Sequence, residues 1–148
     1  IIALSKENIT YEIIPGISSA LAAAASIGIP LTRRMHSRRV QFITGHDVKG
    51  NLPNDLNLSA LTDPTATTAV FMGTRTFVEL AKKLLLFGLP KNTPVIYAES
   101  VSTPKENIIR ATIEELIYIL QKKTHLSKLP AIIIYGALMD LSDIEKKY

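Results

Sequence analysis

Residues 11–30 read Tyr11-Glu12-Ile13-Ile14-Pro15-Gly16-Ile17-Ser18-Ser19, then an alanine-rich stretch that closes on Gly28-Ile29-Pro30. That order dictates a strand, a tight turn and a helix in close succession. The run over 11–14 is β-prone and stops at Pro15-Gly16, a pair that turns the chain sharply. Ser18 or Ser19 is placed to cap a helix of small residues over Ser19–Ile27, and Gly28 followed by Pro30 ends it. A strand–turn–helix of this kind aims unpaired backbone N–H groups at whatever sits above the turn, which suits an anionic or polar ligand. A capped core helix is the plainer reading. The helix is apolar on nearly every face, so it is expected to be buried all round.

Beyond it, strands and helices alternate. Residues 1–8 have the composition of a helix end. Arg39-Val40-Gln41-Phe42-Ile43-Thr44 has a strand's period and runs into Gly45, and a polar loop follows from 47 to about 58. Residues 67–72 form a β-branched strand ending at Gly73. Thr76 and Glu79 then read as a capping box for a helix whose face is Phe77, Leu80, Ala81, Leu84 and Leu85, ended by Gly88 and Pro90. Strands are expected over 94–99 and 108–111, too close together for a crossover helix and therefore antiparallel. Thr112 and Glu115 repeat the capping box before the stripe Ile113, Leu116, Ile117 and Leu120. Residues 131–135 are a continuous apolar run closed by Gly136, as in a strand buried on both faces. The tail from Ser142 reads as a short amphipathic helix exposing Lys146 and Lys147. The expected class is α/β, a mixed β-sheet flanked by helices.

In 148 residues with 47% hydrophobic content there is enough material for one proper core. No run approaches the roughly 18 apolar residues of a membrane span, so no membrane partner is expected. The absence of cysteine excludes a disulfide scaffold, thiol catalysis and thiolate metal sites, and fits a cytoplasmic location. Three scattered histidines are a poor ligand set, so no metal is expected. Gly16-Ile17-Ser18-Ser19-Ala20 lacks the second glycine of a nucleophile elbow. Net charge is +4, with Arg33, Arg34, His36, Arg38 and Arg39 clustered. Such a cluster attracts polyanions, which leaves a non-catalytic nucleic-acid-binding module as one alternative. With 6% aromatic residues and no nucleic-acid module signature, a substrate bearing several carboxylates fits equally well and no nucleic acid is the expectation.

Ligands of open α/β sheets sit outside the carboxyl ends of strands. Three such loops stand out: Pro15-Gly16-Ile17-Ser18-Ser19, Met72-Gly73 and Glu99-Ser100-Val101-Ser102-Thr103. Glycine at 16 and 73 is expected to let a ligand approach the backbone closely.

The runs Pro15-Gly16-Ile17-Ser18-Ser19, Gly28-Ile29-Pro30-Leu31-Thr32, Thr44-Gly45-His46 and Phe71-Met72-Gly73 closely resemble the uroporphyrinogen-III C-methyltransferases, tetrapyrrole methylases that use S-adenosylmethionine. The resemblance covers the C-terminal part of that family's pattern, and the Gly-Gly-Asp signature of the N-terminal part is absent. It implies the C-terminal domain of the tetrapyrrole methylase fold. Residues 1–34 would be a remnant of the N-terminal domain plus a linker, and residues 35–148 the C-terminal α/β domain. It implies methylation of uroporphyrinogen III to precorrin-2 on the route to sirohaem or cobalamin, with no activity in this portion without the N-terminal half. A methylase of a later corrin precursor is the near alternative.

By the same resemblance Ser18, Ser19, Met72 and Val101 contact S-adenosylmethionine. Arg34, His46 and Met72 face the tetrapyrrole, the first two through its carboxylates. Val101 departs from the family's Gly or Ala, as does Lys105-Glu106-Asn107 from its acidic-Gln-Arg. Arg33 stands where His is common. No catalytic base is evident in this portion, and a homodimer is implied. Residues 1–32, without their N-terminal cover, are expected either to pair with another copy or to be poorly ordered, and not to fold back on the domain of residues 39–136.

Overall fold

The computed structural model describes residues 1–122 and 129–138; the tail helix expected from Ser142 lies outside them. Five strands form one sheet: β1 (Arg39–Thr44), β2 (Ala66–Phe71), β3 (Pro94–Glu99), β4 (Asn107–Thr112) and β5 (Ala131–Gly136), in the order β1-β2-β5-β3-β4. β1 and β2 pair in parallel, and β5 is antiparallel to both β2 and β3. Thus β1, β2 and β3 all end on one edge, where β5 begins. β3 and β4 are antiparallel, as their spacing requires. The mixed α/β sheet expected from the sequence is present.

Each strand's period-2 alternation splits the core into two layers. On one face Val70, Val95, Tyr97, Ile133 and Tyr135 meet two helices, α4 (Phe77–Leu86) and α5 (Ile113–Lys122). Two shorter helices, α1 (Ile2–Lys6) and α3 (Leu58–Leu61), are also present among the described residues. On the other face Ala69, Ile96, Ala98, Ile132 and Ile134 meet α2 (Ser19–Ile27).

That second layer corrects two expectations. Helix α2 folds back on the sheet of its own chain, because Ala20, Ala23, Ala24 and Ile27 sit at the i, i+3, i+4, i+7 spacing of one face. The helix runs over β5, and Ala69 and Ala98 on the neighbouring strands share its layer with Ile132 and Ile134. Nor is α2 buried all round, since Leu21 and the remaining positions face outward. Ser18 is its cap, accepting from the Ala20 amide, and Gly28 closes it in the left-handed conformation at φ 76°.

The strand expected over 11–14 is not formed. Those residues are exposed and pair with no strand among the described residues, and an isolated strand has no partner for its backbone groups. The Thr112–Glu115 capping box is made as expected: the Thr112 amide donates to the Glu115 carboxylate at 2.7 Å, and the Glu115 amide to the Thr112 hydroxyl at 3.3 Å. The Thr76–Glu79 box is not. Thr76 donates its hydroxyl to the Gly45 carbonyl instead, and Glu79 pairs with Lys83 at 3.0 Å.

Candidate active site

The carboxyl ends of β1, β2 and β3 deliver three loops to one edge of the sheet, beside the start of β5 and the first turn of α2. Met72 follows β2 at φ 54°, and Ser100 and Ser102 follow β3 at φ 50° and 63°. Left-handed backbone at a residue with a side chain costs of order 1–3 kcal/mol, and such strain gathers at functional sites. Three of the five non-glycine positions of this kind among the described residues lie here.

Two adjoining clefts open on this edge. One, of about 640 Å³, is lined by Ser19, His46 and Met72 together with Lys49, Thr74 and Arg75. The other, of about 430 Å³, is lined by Ser19, Ile17 and Ala22 against Ser100, Val101 and Ser102. Ser19, Pro130 and Ala131 belong to both, so the clefts form one continuous depression. Four of the six residues singled out from the sequence are brought together here: Ser19, His46, Met72 and Val101. Ser18 lies next to them with its hydroxyl committed to capping α2.

Arg34 does not join them. It lines a shallow pocket with Thr32, Arg33, Ser37 and Arg38, beside the opposite end of β1. The Arg38 amide bonds the Thr65 carbonyl there, just before β2. Six residues of strand, at about 3.3 Å each, put roughly 20 Å between Arg34 and the cleft.

The cleft floor is built by backbone packed on backbone. A Cβ on Gly45 would overlap the Cα of Gly73, and one on Gly73 would stand 2.6 Å from Val70 Cγ1. Gly73 is therefore glycine because a Cβ would collide with the Val70 side chain, which corrects the expectation that it opens space for a ligand. Gly16 does have open space around it. The Gly45–Gly73 contact, with the Thr76 hydroxyl on the Gly45 carbonyl, fixes the His46 loop against the Met72 loop. His46 Nδ1 faces the Asp47 carbonyl at 2.9 Å, which makes that nitrogen the donor and leaves Nε2 as the ring's other polar atom.

The sequence reading missed Lys49, Thr74 and Arg75, and named Glu99 only as the start of a loop. Glu99 ends β3 almost buried, at 7% exposure, and accepts from the Tyr97 phenol at 3.0 Å. Burial, with the neighbouring Glu99 carboxylate, pushes the Tyr97 phenol up to about 12, while a hydrogen bond to Thr74 opposes the shift. Tyr97 thus ties the carboxylate at the end of β3 to the Met72-Gly73-Thr74 loop. A glutamate directly before Ser100-Val101 was the available signal; its burial was not.

The sequence profile of the tetrapyrrole (corrin/porphyrin) methylases matches residues 1–117. The chain belongs to this family. Among tetrapyrrole methylases of curated function, it is 36% identical over 141 residues to the chloroplastic S-adenosyl-L-methionine-dependent uroporphyrinogen III methyltransferase of Arabidopsis thaliana, covering 95% of this chain and 38% of the relative. It is 32% identical over 133 residues to the uroporphyrinogen-III C-methyltransferase of Paracoccus denitrificans, covering 90% and 45%. Among solved tetrapyrrole methylases, the Thermus thermophilus uroporphyrin III C-methyltransferase superposes with a TM-score of 0.71 at 31% identity, over 91% of this chain and 54% of that one. A cobalt precorrin-4 methyltransferase superposes with a TM-score of 0.77 at 26% identity, over 91% and 55%. The chain therefore spans less than half the length of these two curated relatives and about half that of the solved structures.

Proposed function

We propose that this chain is the C-terminal part of an S-adenosylmethionine-dependent methyltransferase that converts uroporphyrinogen III to precorrin-2. The observation that carries the reading is the convergence of Ser19, His46, Met72 and Val101 on one depression at the carboxyl edge of the sheet. A Thermus thermophilus relative was crystallised with S-adenosyl homocysteine, which supports the same cofactor class here.

The residues present fit that cofactor. The two clefts together have the volume of a small-molecule site, and their walls mix apolar surface with the Ser19 hydroxyl and the strained backbone of Ser100-Val101-Ser102. S-adenosylmethionine supplies an electrophilic methyl group on sulfur. Ser19 and the Val101 loop would hold it, and exposed Met72, soft and unbranched, would pack between it and the tetrapyrrole. Alignment of the two reactants is this portion's main contribution to rate. His46 would donate Nε2–H to a substrate carboxylate as the imidazolium, the form in which both ring nitrogens donate. For Arg34 the proposal requires a carboxylate at the opposite edge, and Arg34→Ala is its test.

Residues 1–34 would belong with an N-terminal domain and 35–148 form the C-terminal one, with α2 packing across that division. The complete protein would be a cytoplasmic homodimer. The higher TM-score to the cobalt precorrin-4 methyltransferase favours, as a second reading, a methylase of a later corrin precursor.

Mass spectrometry decides between these readings. Uroporphyrinogen III incubated with S-adenosylmethionine and the complete protein should gain two methyl groups, and this chain alone should transfer none. No transfer by the complete protein would refute the assignment. Transfer by this chain alone would refute its incompleteness.

A further inference from the structure

We infer that Lys49 and Arg75 bind acidic side groups of the substrate at the mouth of the larger cleft, an assignment that rests on this cleft's being the tetrapyrrole site. Among the described residues, the ionisable ones lining it are His46, Asp47, Lys49 and Arg75. Asp47 does not offset the cations freely. Its Oδ1 accepts the amides of Lys49 and Asn51 at 2.8 and 2.9 Å, so the carboxylate is turned onto its own loop and holds Lys49 in place. Elsewhere Arg39, Lys83 and Lys91 are matched by Asp63, Glu79 and Glu114. Lys49 and Arg75 are exposed, and neither side chain makes an ion pair or hydrogen bond among the described residues.

The two cations rise from loops after β1 and β2, which are adjacent and in register through Thr44 and Phe71. The same cleft is lined by the apolar Phe71, Met72, Leu129, Pro130 and Ala131. Apolar lining beside positive charge that is unmatched among the described residues suits a flat apolar ring with carboxylates at its periphery. A lysine meets such a group as a point charge and an arginine as a planar fork.

Uroporphyrin III is the probe, titrated into this chain by fluorescence quenching at low and high salt. Lys49→Gln and Arg75→Gln should each weaken binding about three- to fivefold, and the double variant roughly tenfold or more, as for exposed ion pairs acting independently. The difference from the unmodified chain should shrink as salt rises. Lys49→Arg and Arg75→Lys should recover most of the loss. Lys82→Gln, an exposed cation on α4, should change nothing. Binding by the unmodified chain that survives both glutamine substitutions would overturn this inference and leave the cleft assignment standing. An equal loss in Lys82→Gln would also overturn it, because net charge alone would then be responsible. If the unmodified chain binds no porphyrin, the cleft assignment fails and this inference with it.

Discussion

Substituting Gly45 by alanine adds one methyl group at the point where the β1 and β2 loops touch. That methyl would overlap the Gly73 Cα and stand 3.0 Å from both the Gly73 nitrogen and Val70 Cγ1. Two of the three obstacles are backbone atoms, which cannot rotate aside, and Gly73 is itself blocked by Val70. Gly45 has no positive φ, so alanine is conformationally tolerated there and the effect is purely one of packing. The loops must separate, weakening the Thr76 hydrogen bond to the Gly45 carbonyl as they do. Overpacking of a tight interior costs about 1–3 kcal/mol, and a backbone obstacle places Gly45→Ala at roughly 2–3 kcal/mol. Out of a total stability of about 5–15 kcal/mol that is readily measured. Urea unfolding followed by circular dichroism should show a lower midpoint at unchanged slope. Gly16→Ala, with nothing within 4 Å, should stay within about 0.5 kcal/mol of the unmodified chain. A Gly45→Ala variant as stable as Gly16→Ala would refute the packing argument.

Removing residues 1–34 should uncover Ala69, Ile96, Ala98, Ile132 and Ile134, so a chain starting at Met35 is expected to scatter more light, through added self-association, than the chain of residues 1–148. Thr112→Ala should cost about 0.5–2 kcal/mol by removing the α5 cap. The two bonds from Thr112, its amide first, lower the Glu115 pKa. That group's stabilisation is thus present above the unfolded glutamate pKa and lost as pH falls through the folded one, which a side-chain NMR titration of Glu115 reads directly. Tyr97→Phe leaves the buried Glu99 short of a donor and should cost about 1–3 kcal/mol. Its phenol titrates at about 12 when folded against 10.0 ordinarily, so its contribution is full below pH 10 and fades as pH rises through 12; spectrophotometric titration should lose that late phenolate in the variant.

Much of this fold is written locally. β1, α2 and the spacing of β3 and β4 follow from alternation, caps and loop length, none of which needs knowledge of distant residues. What needed the structure was pairing. Residues 11–14 have strand composition, yet a strand exists only where another supplies its ladder. The alanine helix looked as if it required foreign cover because its own cover, Ala69, Ala98, Ile132 and Ile134, lies on strands far along the chain. Thr76 reads as a cap in sequence, but its hydroxyl is claimed by a loop 31 residues earlier. Of the candidate site, the loops carrying Ser19, Met72 and Val101 were legible as strand ends or a helix start, while His46 and the role of each residue came from the family resemblance alone. Lys49 and Arg75 were not legible, because an unmatched surface cation is recognised only by the absence of a carboxylate near it in space.

The central claim is that the depression at the carboxyl edge of β1, β2 and β3 is where a tetrapyrrole binds. Amide chemical-shift mapping of this chain during titration with uroporphyrin III tests it most directly. The account predicts shifts concentrated at His46, Lys49, Met72 and Arg75 in the larger cleft, growing together along one binding curve. Shifts confined to Arg33, Arg34 and Arg38 at the opposite edge, or none at all, would contradict it.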